Sequence, residues 1–275
     1  KTIVQRAEHY GMDFALAMVK FRGFDGPSEY WVRNLEPFTM MAGIAAVTSR
    51  IKLYASIPLL ITPPALAARM ATTIDCKLSP QPSGKIEIVS ANSSDRGMQF
   101  VAENADYNFV GAGQGINQVD LSGDPAARLM AAAEKTGRDV GAYTLVTIIA
   151  APTDEMAFAK WDHYRAGTDM EAIAWAKGQS GADTKAAENS TAGRIARNAE
   201  AQLKDPSKAM PNGGFKLIGS YEKVAEMLDQ IGSTPGIKGI MLIFDDFIAG
   251  IEQFGEHIQP LMKTRNAPAM DTAAE

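Results

Sequence analysis

The sequence predicts an α/β fold built on parallel strands. Three observations carry that prediction. Apolar runs of strand length alternate with longer segments of helical period. Helix-opening residues such as Pro64, Asp124-Pro125 and Ser220 mark where several of the helical segments begin. The 275 residues are 46% hydrophobic and 21% charged, which is ordinary globular composition and fits one large α/β domain.

The elements follow in order. Lys1 to Tyr10 is the tail of an amphipathic helix, with Ile3, Val4 and Ala7 on one face. Met12 to Met18 reads as a strand, and a loop rich in Gly, aromatic and basic residues follows it, "VKFRGFDGPSEYWVRN". "LEPFTMMAGIAAVTSR" reads as a buried helix, and "IKLYASIPLL" as a strand interrupted near its end by Pro58. Pro64 opens a helix running to Asp75. That helix meets Cys76 and the Pro-rich turn "CKLSPQPSG" with no Gly, Asn or Pro to stop it. Beyond the turn come a strand at Lys85 to Ser90, a helix at Ser94 to Asn104 and a strand at Tyr107 to Val110. The Gly-rich "GAGQGIN" reads as a mobile loop, because it lacks dinucleotide-binding spacing. Asp124-Pro125 opens a helix to Thr136, and Tyr143 to Ala151 is a strand. Thr153 to Leu203 reads as mostly helical, and "KDPSKAMPNGGFK" as a polar loop. Ser220 caps a helix to Ile231, Lys238 to Phe244 is a strand, and Phe247 to Met262 is a final helix.

Six strands result, near 12–18, 51–57, 85–90, 107–110, 143–151 and 238–244. A six-stranded doubly wound sheet accommodates them. The chain begins with a helix, however, which points to a strand lost before Lys1. A further βα unit lost between Asp75 and Cys76 would bring the count to the eight of a closed (β/α)8 TIM barrel.

Composition excludes several functions. A net charge of −5 argues against a partner held by phosphate contacts, as nucleic acid is. No apolar run approaches the ~20 residues of a membrane span, and the N-terminus has no apolar signal region. The single cysteine, Cys76, excludes an internal disulfide framework and suits a reducing cytoplasm. His9, His163 and His257 fall on helices with no paired spacing, which counts against a metal-dependent barrel hydrolase and leaves no metal site to assign. Asp245 and Asp246 close the last strand, where capping is the simpler role than an acid/base pair.

Five stretches carry a resemblance over nearly the whole chain: "AEHYGMDFALAMVKFRGF", "EYWVRNLEPFTMMAGIAAVTSRIKLYAS", "PPALAARMATTID", "GSYEKVAEMLDQI" and "FDDFIAGIEQFGEHIQPLM". They resemble the bacterial-luciferase-like flavin monooxygenases, most closely the branch that opens pyrimidine rings. The resemblance implies a single TIM-barrel domain over 1–275 with a mostly helical insertion at about 152–217. It also explains the junction. In the family, roughly sixty to seventy residues separate the counterparts of Asp75 and Cys76, including a barrel strand and a loop with Asn, Trp and Glu; restoring them restores eight strands. Roughly thirty residues are absent at the N-terminus by the same comparison, including the first strand. A natural deletion is the rival account, but a barrel lacking two strands leaves open edges and a gapped core.

The resemblance also implies site residues. Val19 and Lys20 match flavin-contacting positions, and Lys20 borders the substrate pocket with Leu16 and Ile57. Lys20 would steady anionic reduced flavin or a polarised carbonyl; a solvated loop lysine is the plain alternative. Ser56 aligns with a threonine beside the flavin N5, where oxygen binds, and its hydroxyl would donate to the developing charge. A strand-end serine bonded to backbone is the alternative there. Ser94 matches the serine that binds the FMN phosphate at a helix N-terminus, a role compatible with simple capping. Two departures stand out. "SIPLL" changes the pocket wall, and "ANS" replaces the family's "AGQ" before Ser94.

The implied activity is that of a cytoplasmic, two-component FMN-dependent monooxygenase. A separate NAD(P)H-dependent flavin reductase supplies reduced FMN, O2 adds at the flavin N5, and a C–N bond of an N-heterocycle is cleaved. Uracil ring opening and riboflavin side-chain cleavage stand on equal footing, and a homo-oligomer is among the assemblies the resemblance allows. The alternative is a non-catalytic flavin-binding relative. The junction reading predicts that the Asp75 carbonyl carbon and Cys76 nitrogen lie far beyond the ~1.33 Å of a peptide bond. Sequencing the gene across that point checks it: an intervening βα unit is the expected result, and an uninterrupted Asp75–Cys76 codon pair would refute it.

Overall fold

The computed structural model describes residues 1–19, 23–24, 26–57, 62–63, 66, 86–110, 115–119, 124–181, 204 and 215–265. Lys20, Pro58, Asp75, Cys76 and most of "GAGQG" lie outside them, as does the stretch from 182 to 203. Two compact units are present, one of Lys1–Gly23 with Glu29–Ile86, the other of Phe24–Ser28 with Glu87–Ala267.

The first unit contains α1 (Thr2–His9), β1 (Phe14–Ala17), α2 (Pro37–Ala45) and β2 (Lys52–Ala55). β1 and β2 pair in parallel, with Leu16 opposite Tyr54 and Ala17 opposite Ala55. Side chains alternate along a strand, so the odd-numbered residues share one face. Ala15, Ala17, Leu53 and Ala55 on that face pack against Met40, Met41 and Ile44 of α2. Leu16 and Tyr54 lie on the other. α2 begins later than expected because Glu36 caps it, accepting the N–H groups of Phe38 and Thr39 at 3.0 and 2.7 Å ahead of Pro37. Glu8 shapes the turn into β2 by accepting the backbone N–H groups of Arg50, Ile51 and Ser49, which hold its carboxyl below the usual range.

In the second unit the parallel order is β3 (Val89–Ser90), β4 (Tyr107–Val110), β6 (Gly141–Ala151), β7 (Phe215–Ser220) and β5 (Gly115–Ile116), with β8 (Ile237–Phe244) also on β6. The helices are α3 (Asp95–Asn104), α4 (Asp124–Thr136), α5 (Asp154–Ala166), α6 (Met170–Gly181), α7 (Tyr221–Gly232) and α8 (Phe247–Gln253). Met98, Val101, Ala126 and Leu129 of α3 and α4 cover Val110 and Ala142 on one face of the sheet. Ala157 and Trp161 of α5 cover Ile149, Ala151 and Ile218 on the other. Full burial of a large apolar side chain stabilises by roughly 1.5–3 kcal/mol, so these clusters outweigh the helix caps at about 1 kcal/mol each. Among the described residues no helix is long and apolar enough to cross a membrane.

Three differences from expectation have physical causes. β7 was expected to be polar loop and cap. Lys216 and Gly219 disguise its pattern, yet Phe215, Leu217 and Ile218 are fully buried. Gly115–Ile116, expected to be loop, joins the edge of β7. The stretch after Thr153 is helical as expected where it is described, as α5 and α6 separated at Gly167. The final helix leaves α geometry after Gln253, passing through a π turn at Phe254–Ile258 to a 3-10 turn at Gln259–Leu261. Pro260 has no N–H to donate and its ring clashes with the carbonyl one turn back, so α geometry cannot continue through it.

Lys216 is 1% exposed. Its ammonium lies 5.5 Å from the centre of the Trp161 ring, a favourable cation–π placement. Burial still pushes its pKa from 10.5 down to about 8. A lysine whose folded value lies below its unfolded one binds fewer protons when folded, so stability rises as pH climbs from about 8 to 10.5. Lys216→Met keeps the length and removes the charge. It should raise stability at neutral pH by up to about 3 kcal/mol and flatten that rise. Urea unfolding across the pH range measures both; a less stable variant with the slope intact would contradict the account.

Candidate active site

Parallel strands put their C-terminal ends on one side of a sheet, next to the N-termini of the helices that follow, and sites of α/β proteins gather there. The candidate residues of the first unit follow this rule. Ser56 stands immediately after β2 and is half-buried. Its hydroxyl donates to the Ala17 carbonyl at 2.8 Å and accepts the Val19 N–H at 2.6 Å. The Ser56 N–H also reaches Ala17 O, at 3.1 Å. One side chain thus ties the end of β2 to the chain leaving β1. A serine hydroxyl has one proton and two lone pairs. The proton is committed to Ala17 and one lone pair to Val19, which leaves one lone pair facing outward. In this arrangement Ser56 offers an acceptor; donating elsewhere requires rotation off Ala17, at the loss of a hydrogen bond worth about 1 kcal/mol. Leu16 and Ile57 are half-buried, and Leu16 shares the face away from α2 with Phe14 and Tyr54, whose rings meet edge-on at 5.4 Å.

In the second unit Ser94 caps α3, its hydroxyl accepting the Gly97 N–H at 3.1 Å. Helix geometry leaves the Asp95 and Arg96 N–H groups without intrahelical acceptors. Asp95 would repel an anion there, but Arg128 of α4 pairs with its carboxylate and also donates to the Ser93 carbonyl at 3.2 Å. The turn into α3 is held from below by Asn108 of β4, which is fully buried. Asn108 accepts the Asn92 N–H at 2.9 Å and returns a hydrogen bond to the Asn92 carbonyl at 3.0 Å. A Cβ on Gly97 would fall 2.7 Å from the Cβ of Asn92, so a larger residue there would displace the Asn92 side chain.

The end of β8 differs from expectation in one respect. Asp246 caps α8 as anticipated, accepting the Ile248 and Ala249 N–H groups at 2.8 and 3.0 Å. Asp245 does not cap. It accepts Lys160 at 2.7 Å and the Tyr164 hydroxyl at 2.8 Å, both from α5. Burial alone would raise the Asp245 pKa, but these two donors outweigh it and hold the carboxyl below its usual range. Burial and the Asp245 bond push the Tyr164 phenol up to about 12, so it remains a neutral donor. Asn108, Arg128, Lys160 and Tyr164 carry no mark in the sequence pattern. Each acts through a partner on another element, which periodicity does not reveal. Asp169, just before α6, was legible in principle: Thr-Asp after Gly167 is a helix-start signal.

The luciferase-like monooxygenase family pattern matches residues 1–79. Pyrimidine monooxygenase RutA of Allorhizobium ampelinum is 48% identical over 333 aligned positions, covering 97% of this chain and 89% of the relative. RutA of Klebsiella pneumoniae is 42% identical over 332 positions, with the same coverage. Among solved structures, a riboflavin lyase (RcaE) with modified FMN and riboflavin superposes with a TM-score of 0.70 at 16% identity, over 99% of this chain and 85% of that one. A long-chain alkane monooxygenase (LadA) gives 0.62 at 15%, over 94% and 82%. This chain belongs to the luciferase-like monooxygenase family.

Ser56→Ala leaves the Val19 N–H without its acceptor and should destabilise the protein by about 1 kcal/mol, whereas Ser56→Thr keeps the hydroxyl and should be nearly neutral. Urea denaturation compares the two. Equal effects would show that the hydroxyl's bonds to Ala17 and Val19 do not contribute.

Proposed function

We propose that this chain is the oxygenase of a two-component, FMN-dependent system that opens the ring of a pyrimidine such as uracil by cleaving a C–N bond. The observation that carries the reading is 48% identity to a pyrimidine monooxygenase across 97% of the chain. The riboflavin lyase likeness, at 16% identity, speaks to fold alone, so ring opening takes precedence over riboflavin cleavage. The reduced FMN comes from a separate NAD(P)H-dependent flavin reductase.

The same relative supports the barrel reading. Its alignment runs over 333 positions against a chain of 275 residues, which leaves at least 58 positions of the relative without a counterpart here. In this reading the counterpart of those positions falls between Asp75 and Cys76. It completes a closed eight-stranded barrel of one domain, with a helical insertion at about 152–217.

The residues at the strand ends fit an FMN ligand. The start of α3 has two N–H groups, the Ser94 hydroxyl and the Arg128 guanidinium close to hand, and Arg128 offsets the one nearby carboxylate. A phosphate takes such donors readily. Bound reduced FMN supplies the activation of O2, at its N5 position in this reading. The remaining tasks belong to the protein. Val19 and Lys20 hold the flavin ring, and Lys20 polarises a carbonyl of the heterocycle. Leu16 and Ile57 wall the pocket and exclude water. Ser56 orders the Val19 backbone and, by turning off Ala17, donates to the reacting oxygen.

The test is turnover with a flavin reductase, NADH, FMN and O2, following loss of the substrate's ultraviolet absorbance. Uracil should be consumed, and Ser56→Ala should slow oxygenation more than it weakens FMN binding, on the order of 3 kcal/mol in the transition state for a lost donor. Ser94→Asp should weaken FMN binding while sparing riboflavin, which has no phosphate. Consumption of riboflavin in place of uracil would overturn the pyrimidine assignment, and consumption of neither would overturn the activity.

A further inference from the structure

Asp169 stands directly before α6, and its carboxylate collects donors from two directions. Locally it accepts the Ala172 N–H at 3.0 Å, the bond of an ordinary helix cap. From the far end of the sequence it accepts the Ser28 N–H at 2.9 Å. The Ser28 side chain also bonds it, and that bond leads the causes that keep the Asp169 carboxyl below its usual range.

Two neighbours of Ser28 are received as specifically. Gly26 passes so close that a Cβ there would lie 2.5 Å from Asp169 Oδ2, and its φ of +108° is one that L side chains rarely adopt. The Phe24 ring meets Trp175 of α6 edge-on, at 5.3 Å and 80°. Capping α6 accounts for the Ala172 bond but for none of these three features. Phe24–Ser28 accordingly belongs to the second unit, although the chain on both sides of it belongs to the first. This segment lies just downstream of Lys20, in the loop that leaves β1. The upstream end of that loop, Val19, is the one held by the Ser56 hydroxyl.

We propose that Asp169 is a positioning residue for the loop after β1: it pins Phe24–Ser28 onto α6. The consequence for activity rests on the reading above, in which Val19 and Lys20 hold the flavin and the heterocycle. Holding Phe24–Ser28 in one conformation before substrate arrives is preorganisation, and preorganisation of that kind appears in KM and in coupling.

Two variants separate this role from plain stability. Asp169→Asn keeps the shape but turns an amide donor toward groups that must themselves donate. Gly26→Ala adds the clashing Cβ and leaves Asp169 intact. Both should raise KM for uracil on the order of tenfold with a smaller fall in kcat. Both should divert a larger share of reduced flavin to hydrogen peroxide, and both should make the bonds after Lys20 and Arg22 more susceptible to trypsin at a temperature where the fold is intact. A lowered melting temperature with KM, peroxide share and tryptic cleavage all unchanged would overturn the proposal. Should the wild type consume neither uracil nor riboflavin, the functional reading fails by itself. The tryptic comparison then decides the pinning: faster cleavage in both variants supports it, and equal cleavage refutes it.

Discussion

The second unit depends on β6, whose eleven residues are bonded in parallel along both edges. β4 pairs with its residues 141–144, β7 with 147–151, and β8 with 142–148. β8 overlaps the spans of both others, so β4 and β7 must follow one another along one edge while β8 takes the opposite edge. A parallel sheet needs a crossover for each pairing and cover over both faces. β6 meets that demand: every residue except Leu145 is buried. α3 and α4 cover one face and α5 the other, which is why Lys216, on the strand beside it, ends up against Trp161 rather than in water.

The same constraint places the polar side chains that matter. Each strand that runs directly into a helix leaves that helix's first N–H groups at the C-terminal end of the sheet, and short polar residues answer them. Ser94, Thr153, Ser220 and Asp246 all cap helices at such points. Ser220 is at once the last residue of β7 and the cap of α7. Asp154 then links two of these junctions, accepting the Ser220 N–H at 2.7 Å and Lys223 at 2.9 Å. Each cap satisfies N–H groups that would otherwise go unpaired at the start of its helix, and the loops between the caps are free to differ.

Much of this was legible in the sequence because local chemistry decides it. The caps at Ser94, Ser220 and Asp246 follow from residue type and position, and the alternation of strand and helix follows from hydrophobic period. β7 was hidden because a lysine inside an apolar run reads as surface, and only the packed sheet shows Lys216 covered. The commitment of the Ser56 hydroxyl to Ala17 and Val19, the grip of Asp245 on Lys160 and Tyr164, and the capture of Ser28 by Asp169 join positions 37, 81 and 141 residues apart or more. No short window contains both partners of such bonds, so the sequence shows the polar residues and not what they hold. The resemblance located Val19, Ser56 and Ser94 at the ends of strands or the start of a helix, and the geometry adds which backbone groups Ser56 and Ser94 engage.

In the function proposed for this chain, one molecule of O2 is directed at a pyrimidine held beside reduced FMN. The most direct test of that function is isotopic: run the reaction with a flavin reductase, NADH and uracil under labelled dioxygen in ordinary water, then repeat it under ordinary dioxygen in labelled water. The expected product is ring-opened and carries label from dioxygen in the first experiment. A product that draws its new oxygen only from water would identify a hydrolase and rule out an oxygenase.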